Sequence, residues 1–363
     1  MSDSPAHNGG FTPLLAELLA ARGPSGFESA PASIWREAAE AFSSAGTDVV
    51  GSAVARVSPR PGADEPARRL VVMGHIDEIG LIVTHIDDQG YLWFTSVGGW
   101  DPQILVGQRV VLDTKDGPVA GVVGKKPIHL LRDEERKKVA ELREMHIDIG
   151  ALDGEQARGR VRVGDVAVID ADPLELPNGR LASRALDNRL GSFIALEAAR
   201  LVSEAGGAQW EVIAVAATQE ETTFGGSRTS AFSLEPHAAI VVDVTHATDA
   251  PGIDVKENGK HDLGSGPVLN RGSNLNDSLF ELLAAAAEAE RIPYTIEATG
   301  RATGTDADAV HLSRGGVPTA VVSIPLRYMH SPVELVQLDD VHACSRLIAA
   351  FALRLQGGES LTP

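Results

Sequence analysis

Four short runs of small aliphatic residues constrain the fold of this chain most: 69–74 (Arg-Leu-Val-Val-Met-Gly), 212–217, 238–242 and 319–324. None alternates apolar with polar positions, so each needs cover on both faces, the condition of a strand inside a parallel sheet. Helical spacing fills the chain around them, at 11–22 (closed by Gly23-Pro24), 31–45, 190–205, 275–290 and 338–355. In the second of these, Trp35, Ala38, Ala39 and Phe42 share one face. Strands alternating with helices predict an α/β fold, a mostly parallel sheet with helices on both faces.

Residues 81–172 read differently. Turn signals crowd this stretch (Gly90, Gly98-Gly99, Gly107, Asp116-Gly117, Gly154, Gly164), and apolar and polar residues alternate between them. That pattern predicts a small β-barrel inserted into the α/β domain, which takes 1–80 and 173–363. The charged segment 132–144 reads as a solvated helix or loop, and the polar, Gly-rich residues 1–10 as disordered.

Composition excludes several classes of function. With 50 acidic against 32 basic residues in 363, the formal charge is −18. Nucleic acid and anionic membrane both demand a basic surface, so neither is expected as a partner. An acidic surface attracts divalent cations, and cationic substrates where it lines a pocket. The single cysteine, Cys344, allows no internal disulfide and no thiolate zinc site, and it reads as a small buried apolar residue. No apolar run approaches the ~20 residues of a membrane span, and residues 1–5 lack the basic and apolar regions of a secretory signal. A cytoplasmic protein is the expectation.

Each apolar run leads to an acid or a histidine: the first to His75-Ile76-Asp77, the second to Glu220-Glu221, the third to Asp243, the fourth to His330. The carboxyl edge of an open α/β sheet holds its ligand crevice, so these side chains converge there. Asp187 stands just before the 190–205 helix, where the helix dipole favours a carboxylate. Imidazoles with several carboxylates and no thiolate suit divalent metals. In a two-metal site one carboxylate is shared between ions ~3.5–4 Å apart, and another stays free as a base. Adjacent Glu220 and Glu221 suit that division.

The chain supplies its own controls. His75-Ile76-Asp77 recurs as His85-Ile86-Asp87, in a segment turning at Asp88-Gln89-Gly90, and as His146-Ile147-Asp148, inside the expected barrel. Only the first follows a buried strand. The other histidines (His7, His85, His129, His146, His237, His246, His261, His311 and His342) read as structural or solvent-facing, with His246 and His129 nearest the rim of the site.

Seven segments in order carry a resemblance: 74–80 (Gly-His-Ile-Asp-Glu-Ile-Gly), 97–102 (Val-Gly-Gly-Trp-Asp-Pro), 184–189 (Arg-Ala-Leu-Asp-Asn-Arg), 217–221 (Ala-Thr-Gln-Glu-Glu), 243–247 (Asp-Val-Thr-His-Ala), 304–307 (Gly-Thr-Asp-Ala) and 327–332 (Arg-Tyr-Met-His-Ser-Pro). Together they resemble the co-catalytic metallo-aminopeptidases of the tetrahedral (TET) and glutamyl aminopeptidase type. The resemblance implies removal of N-terminal residues from short peptides by a hydroxide bridging two divalent metals, zinc first, with cobalt or manganese as substitutes. It implies that Asp187 bridges the ions, that Glu221 and His330 complete one site, and His75 and Asp243 the other. Glu220 would be the general base, with Asp77 orienting His75. It also implies an inserted barrel that serves assembly, with homodimers building a dodecamer. The chain departs from the family pattern at 222–226, where Thr-Thr-Phe-Gly-Gly replaces a common Val-Gly-x-Arg-Gly. That loop would border the substrate, so the preferred first residue stays open.

Three other readings are weighed against this one. A deacylase of N-acylated amino acids on the same scaffold would require a blocked amine. A glycoside hydrolase needs paired carboxylates but not two histidines. A cation-binding assembly protein with a decayed site would not retain all five ligand positions and the base.

Overall fold

The computed structural model describes residues 10–362; His7 and the expected disorder of 1–9 lie outside the described residues. The four apolar runs form the strands Glu211–Ala217, Arg69–His75, Ala238–His246 and Thr319–Arg327, side by side in that order and parallel to one another. Antiparallel strands extend this centre. Ala53–Val57 and Ser44–Thr47 lie on one side, and Glu334–Gln337, Arg180–Ser183 and Leu174–Leu176 on the other. Val268–Gly272 pairs with Thr319–Arg327 and carries the parallel edge strand Thr295–Thr299.

The missing alternation in the apolar runs has a direct structural cause. Leu70 and Val72 point into one core with Trp35, Leu190, Leu196 and Leu347 from the helices Ser29–Ala39, Leu186–Glu204 and Leu338–Arg354. Val71 and Met73 point into a second core, against Ala231, Leu234 and Val310 from the helices Gly225–Leu234 and Ala307–Val310. Both sets of side chains are therefore withdrawn from water, each large one contributing ~1.5–3 kcal/mol. Close approach of helix to sheet depends on Gly74, where a Cβ would stand 2.3 Å from the Gly191 carbonyl carbon.

Six strands between Gly80 and Ile169 close into an antiparallel barrel: Gly80–Ile86, Leu92–Val97, Met145–Asp148, Gly117–Lys125, Arg109–Thr114 and Val166–Ile169. It has its own core, with Leu92, Leu112, Met145 and Ile147 fully buried. The 132–144 segment holds one exposed helical turn, Asp133–Arg136, and a 3-10 turn at Leu142–Glu144. Cys344 is buried. No helix among the described residues is long and apolar enough to cross a membrane.

Two sequence expectations need correction. The helix expected over 31–45 runs from Ser29 to Ala39, and the chain re-enters the sheet as the strand Ser44–Thr47. Small and polar residues, Ser43-Ser44-Ala45-Gly46, continue the apparent pattern without helical support. Asp243 does not follow its strand but lies inside it, because Ala238–His246 is four residues longer than its apolar run.

Candidate metal centre

The expected side chains meet at the carboxyl ends of the central strands. His75 ends its strand opposite Ala217, three residues before Glu220. The chain leaves Ala217 through Gln219, in the left-handed region at φ 60°, and Glu220 and Glu221 open a single turn of helix. Asp187 has non-helical backbone (φ −78°, ψ 105°) within the first turn of the helix Leu186–Glu204, and the Asn188 carboxamide oxygen accepts from Gly191 N just after this irregular stretch. His330 follows the last central strand with φ 59°.

Asp187 sits in the middle of the cluster. Its Oδ1 lies 3.2 Å from His75 Nε2, and its Oδ2 lies 3.3 Å from His330 Nε2. Glu221 Oε1 is 3.3 Å from the same His330 nitrogen, while Glu220 Oε2 stands further back, 3.6 Å from His75 Nε2. Two triads, His75–Asp187–Asp243 and Asp187–Glu221–His330, each bring their ligand atoms within 4.8 Å of one another and share Asp187. Glu220 also falls into such a group with His75 and Glu221.

These dimensions suit metal ions. Ligand atoms about 2.0–2.1 Å from a tetrahedral centre stand roughly 3.3–3.4 Å apart, close to the separations seen here. The charge balance points the same way. Burial pushes the Glu220 carboxyl up to about 10, with Asp243, Asp306 and Glu221 adding to the rise. Burial also raises Asp243 and Glu221. Hydrogen bonds to Asp187 and Glu221 push His330 up to about 11. His75 is buried, which opposes its charge, yet Glu220, Asp187 and Asp77 hold its pKa well above the usual range. Burial opposes the charge of Asp187 too, but hydrogen bonds from His330 and His75 hold it low. Without cations the cluster must hold protons to offset its carboxylates; two divalent ions would replace them.

Three further carboxylates hold the backbone around the cluster. Asp77, fully buried, accepts from the amides of Glu220 and Glu221 at 3.1 Å each, and its Oδ1 is 3.4 Å from His75 Nδ1. Glu334 accepts from Asp187 N at 3.0 Å and from His330 N at 2.9 Å. The second bond anchors a histidine whose left-handed backbone costs ~1–2 kcal/mol. Glu28 accepts from Gln219 N at 3.0 Å, and burial pushes its carboxyl up to about 7, with Asp77 adding to the rise. Glu28 and Glu334 were not singled out by sequence. Glu334 carried one faint signal, an acid opening a Glu-Leu-Val strand four residues after His330. Glu28 carried none, because its partner is 191 residues away.

The barrel supplies one wall. His330 Nδ1 is 2.8 Å from the Gly99 carbonyl oxygen, and Trp100 Nε1 donates to Gly80 O at 2.9 Å. At Gly98 (φ 74°) a Cβ would stand 2.6 Å from Ile79 Cγ2 and 3.2 Å from Glu221 Oε2, so only glycine fits beside that glutamate. Beneath the site, Glu78 takes Arg189 at 2.7 Å and also Arg184, tying both ends of the 184–189 segment to the turn that follows the strand Arg69–His75.

A cavity of about 320 Å³ opens over the cluster. His246 lines it and His129 does not; His129 is exposed on the barrel. The 222–226 loop is absent from its walls, contrary to the expectation that it borders the substrate. Thr222 instead bonds Ser25, and Gly226 packs on Thr218 and Ser52. Of the remaining histidines, His85 is exposed, His146 packs edge-on against Tyr91, and His237, His261 and His311 make hydrogen bonds away from the cluster. His342 lies on the helix Leu338–Arg354.

The profile of the M42 glutamyl aminopeptidase family matches residues 51–347. The lysyl aminopeptidase of Pyrococcus furiosus is 35% identical over 294 residues, 80% of this chain and 83% of its own length. A TET aminopeptidase from a marine-sediment Thaumarchaeota archaeon superposes with a TM-score of 0.88 at 36% identity, covering 95% of this chain and 96% of that one. The TET1 peptidase of Pyrococcus horikoshii, which can assemble into a tetrahedron or a large octahedral shell, superposes with a TM-score of 0.81 at 30% identity over 94% of this chain and 99% of its own.

Proposed function

The chain belongs to the M42 glutamyl aminopeptidase family, and from that premise we propose that it removes N-terminal residues from short peptides with two divalent metal ions. His75 and Asp243 would hold one ion, Glu221 and His330 the other, with Asp187 shared. The observation that carries this reading is the split of the Asp187 carboxylate, one oxygen toward each histidine. Zinc suits the donor set best, and cobalt or manganese would substitute. When bound, such ions would supply Lewis acidity, lowering the pKa of a water and polarising the peptide carbonyl.

The protein's own groups do the rest. Glu220, set back from His75 relative to Asp187, takes a proton from the attacking water and passes it to the leaving amine. Asp77 orients the His75 ring and fixes the turn on which Glu220 and Glu221 stand. The wall at Gly98–Gly99 keeps the His330 ring in place.

We further place the assembly surface on residues 81–172, the barrel domain inserted into an α/β domain of 1–80 and 173–363, with dimers building a hollow dodecamer. The Pyrococcus horikoshii TET1 peptidase, which can assemble into a tetrahedron or a large octahedral shell, supports the assembled state in this reading. A lone buried thiol suits the reducing cytoplasm.

The test is Glu220→Gln. It should lower hydrolysis of an aminoacyl p-nitroanilide by about 10²–10⁴-fold and leave the metal content unchanged. Because Glu220 also lies within ligand range of His75, loss of metal from the variant would assign it as a ligand and overturn its role as the base.

A further inference from the structure

The cavity over the cluster bears on which peptides the site accepts. Apart from the cluster, its walls include Thr245, His246, Thr303, Thr305, Met329 and Glu297, and among the described residues no lysine or arginine lines it. Among the described residues, Glu297 is thus the one carboxylate in those walls beyond the proposed metal ligands and Glu220. It projects from the edge strand Thr295–Thr299, where Thr295, Glu297 and Thr299 are half-buried and Ile296 and Ala298 are exposed. The strand is not a loose edge. Glu297 stands in register with Asn270, whose carboxamide donates to Ser323 Oγ at 2.9 Å, and the Val268–Gly272 strand pairs directly with Thr319–Arg327. Among the described residues Glu297 has no ion-pair partner; the nearby pairs Arg271–Asp277 and Arg327–Asp249 leave it out.

Charge counting defines what the carboxylate faces. Asp187, Glu221, Asp243 and Glu220 together carry four negative charges when ionised, and two divalent ions offset them. Among the carboxylates that line the cavity, that of Glu297 is then the one left without an offsetting charge. We propose that Glu297 selects peptides whose first side chain is cationic, an ammonium or a guanidinium, and disfavours those beginning with an acid. The inference rests on the aminopeptidase reading above. Glu297 acts on substrate choice and leaves the bond-breaking step to the cluster.

The test uses the zinc-loaded wild-type protein, Glu297→Gln and Glu297→Lys, with p-nitroanilides of Lys, Arg, Leu and Glu. Wild type should favour Lys and Arg over Leu, with Glu poorest. Glu297→Gln should lower kcat/KM for Lys and Arg by about 10- to 100-fold, the usual scale for one partly desolvated charge contact. It should leave Leu within about threefold, and Glu297→Lys should improve Glu. An equal loss on all four substrates would overturn the proposal, since Glu297 would then hold the α-amine that every substrate carries. So would an unchanged ranking. Calorimetry of free lysine and norleucine gives a readout independent of turnover: wild type should bind lysine more tightly, and Glu297→Gln should not. If no free-amine substrate is cleaved the aminopeptidase reading fails, while equal binding of the two amino acids to wild type overturns the role of Glu297.

Discussion

The support under the catalytic turn can be tested by Asp77→Asn. The carboxylate spans two amides, Oδ1 to Glu220 N and Oδ2 to Glu221 N, at 3.1 Å each. An asparagine carboxamide has one acceptor oxygen, and its NH₂ faces the second amide donor to donor. One charge-assisted bond is lost, worth ~1.5–3 kcal/mol. The turn stays attached through the other amide and through Glu28 at Gln219, so the chain should fold. If the lost bond acts by placing Glu220, kcat should fall by about 10- to 150-fold with KM within about threefold. Steady-state kinetics with metal in excess, together with metal analysis, would measure this. A kcat within threefold of wild type would refute the reasoning. Full recovery on raising the metal concentration would refute it too, because Asp77 would then act only through affinity at His75.

Other consequences follow from neighbouring contacts. Glu78→Gln strips the charge that faces the fully buried Arg189, and breaking a buried pair of this kind should cost ~3–5 kcal/mol in denaturant unfolding. Although burial alone would raise it, Arg184 and Arg189 hold the Glu78 carboxyl below its ordinary pKa of 4.5. Its contribution is therefore complete above that value and is lost as pH falls through the lower folded value. The stability gap between wild type and Glu78→Gln should narrow on acidification below pH 4.5; a gap that is constant or widens would contradict the assignment. Gly98→Ala puts a methyl against Ile79 and Glu221 at a left-handed backbone position, which costs ~1–2 kcal/mol before any clash. Metal titration should show one site weakened about 10-fold or more and the other little changed, whereas two unaltered affinities would show that the barrel wall does not set Glu221.

The apolar runs made the central sheet legible because burial on both faces leaves a compositional trace in every residue of the strand. The candidate cluster was legible from position, since His75 closes its strand and Glu220 and His330 come just past theirs, at the edge where an open sheet binds its ligands. Asp243 was found for a partly mistaken reason, as the strand continues through it. The 222–226 departure looked like a substrate wall because sequence gives neighbours along the chain but not the direction of a loop. Glu28, Glu334 and Glu297 were out of reach for another reason. Their surroundings are backbone amides, or cavity walls, brought together by pairing between distant segments, and neither leaves a periodic mark on the sequence.

The shared role of Asp187 is the central claim, and metal stoichiometry tests it most directly. Elemental analysis of the metal-saturated wild-type protein should give two equivalents per chain. Asp243→Ala should retain one, because Glu221 and His330 still face an intact Asp187. Asp187→Ala should retain close to none, because both triads lose their common member. Two equivalents bound by a folded Asp187→Ala protein, or one equivalent in wild type, would contradict the account.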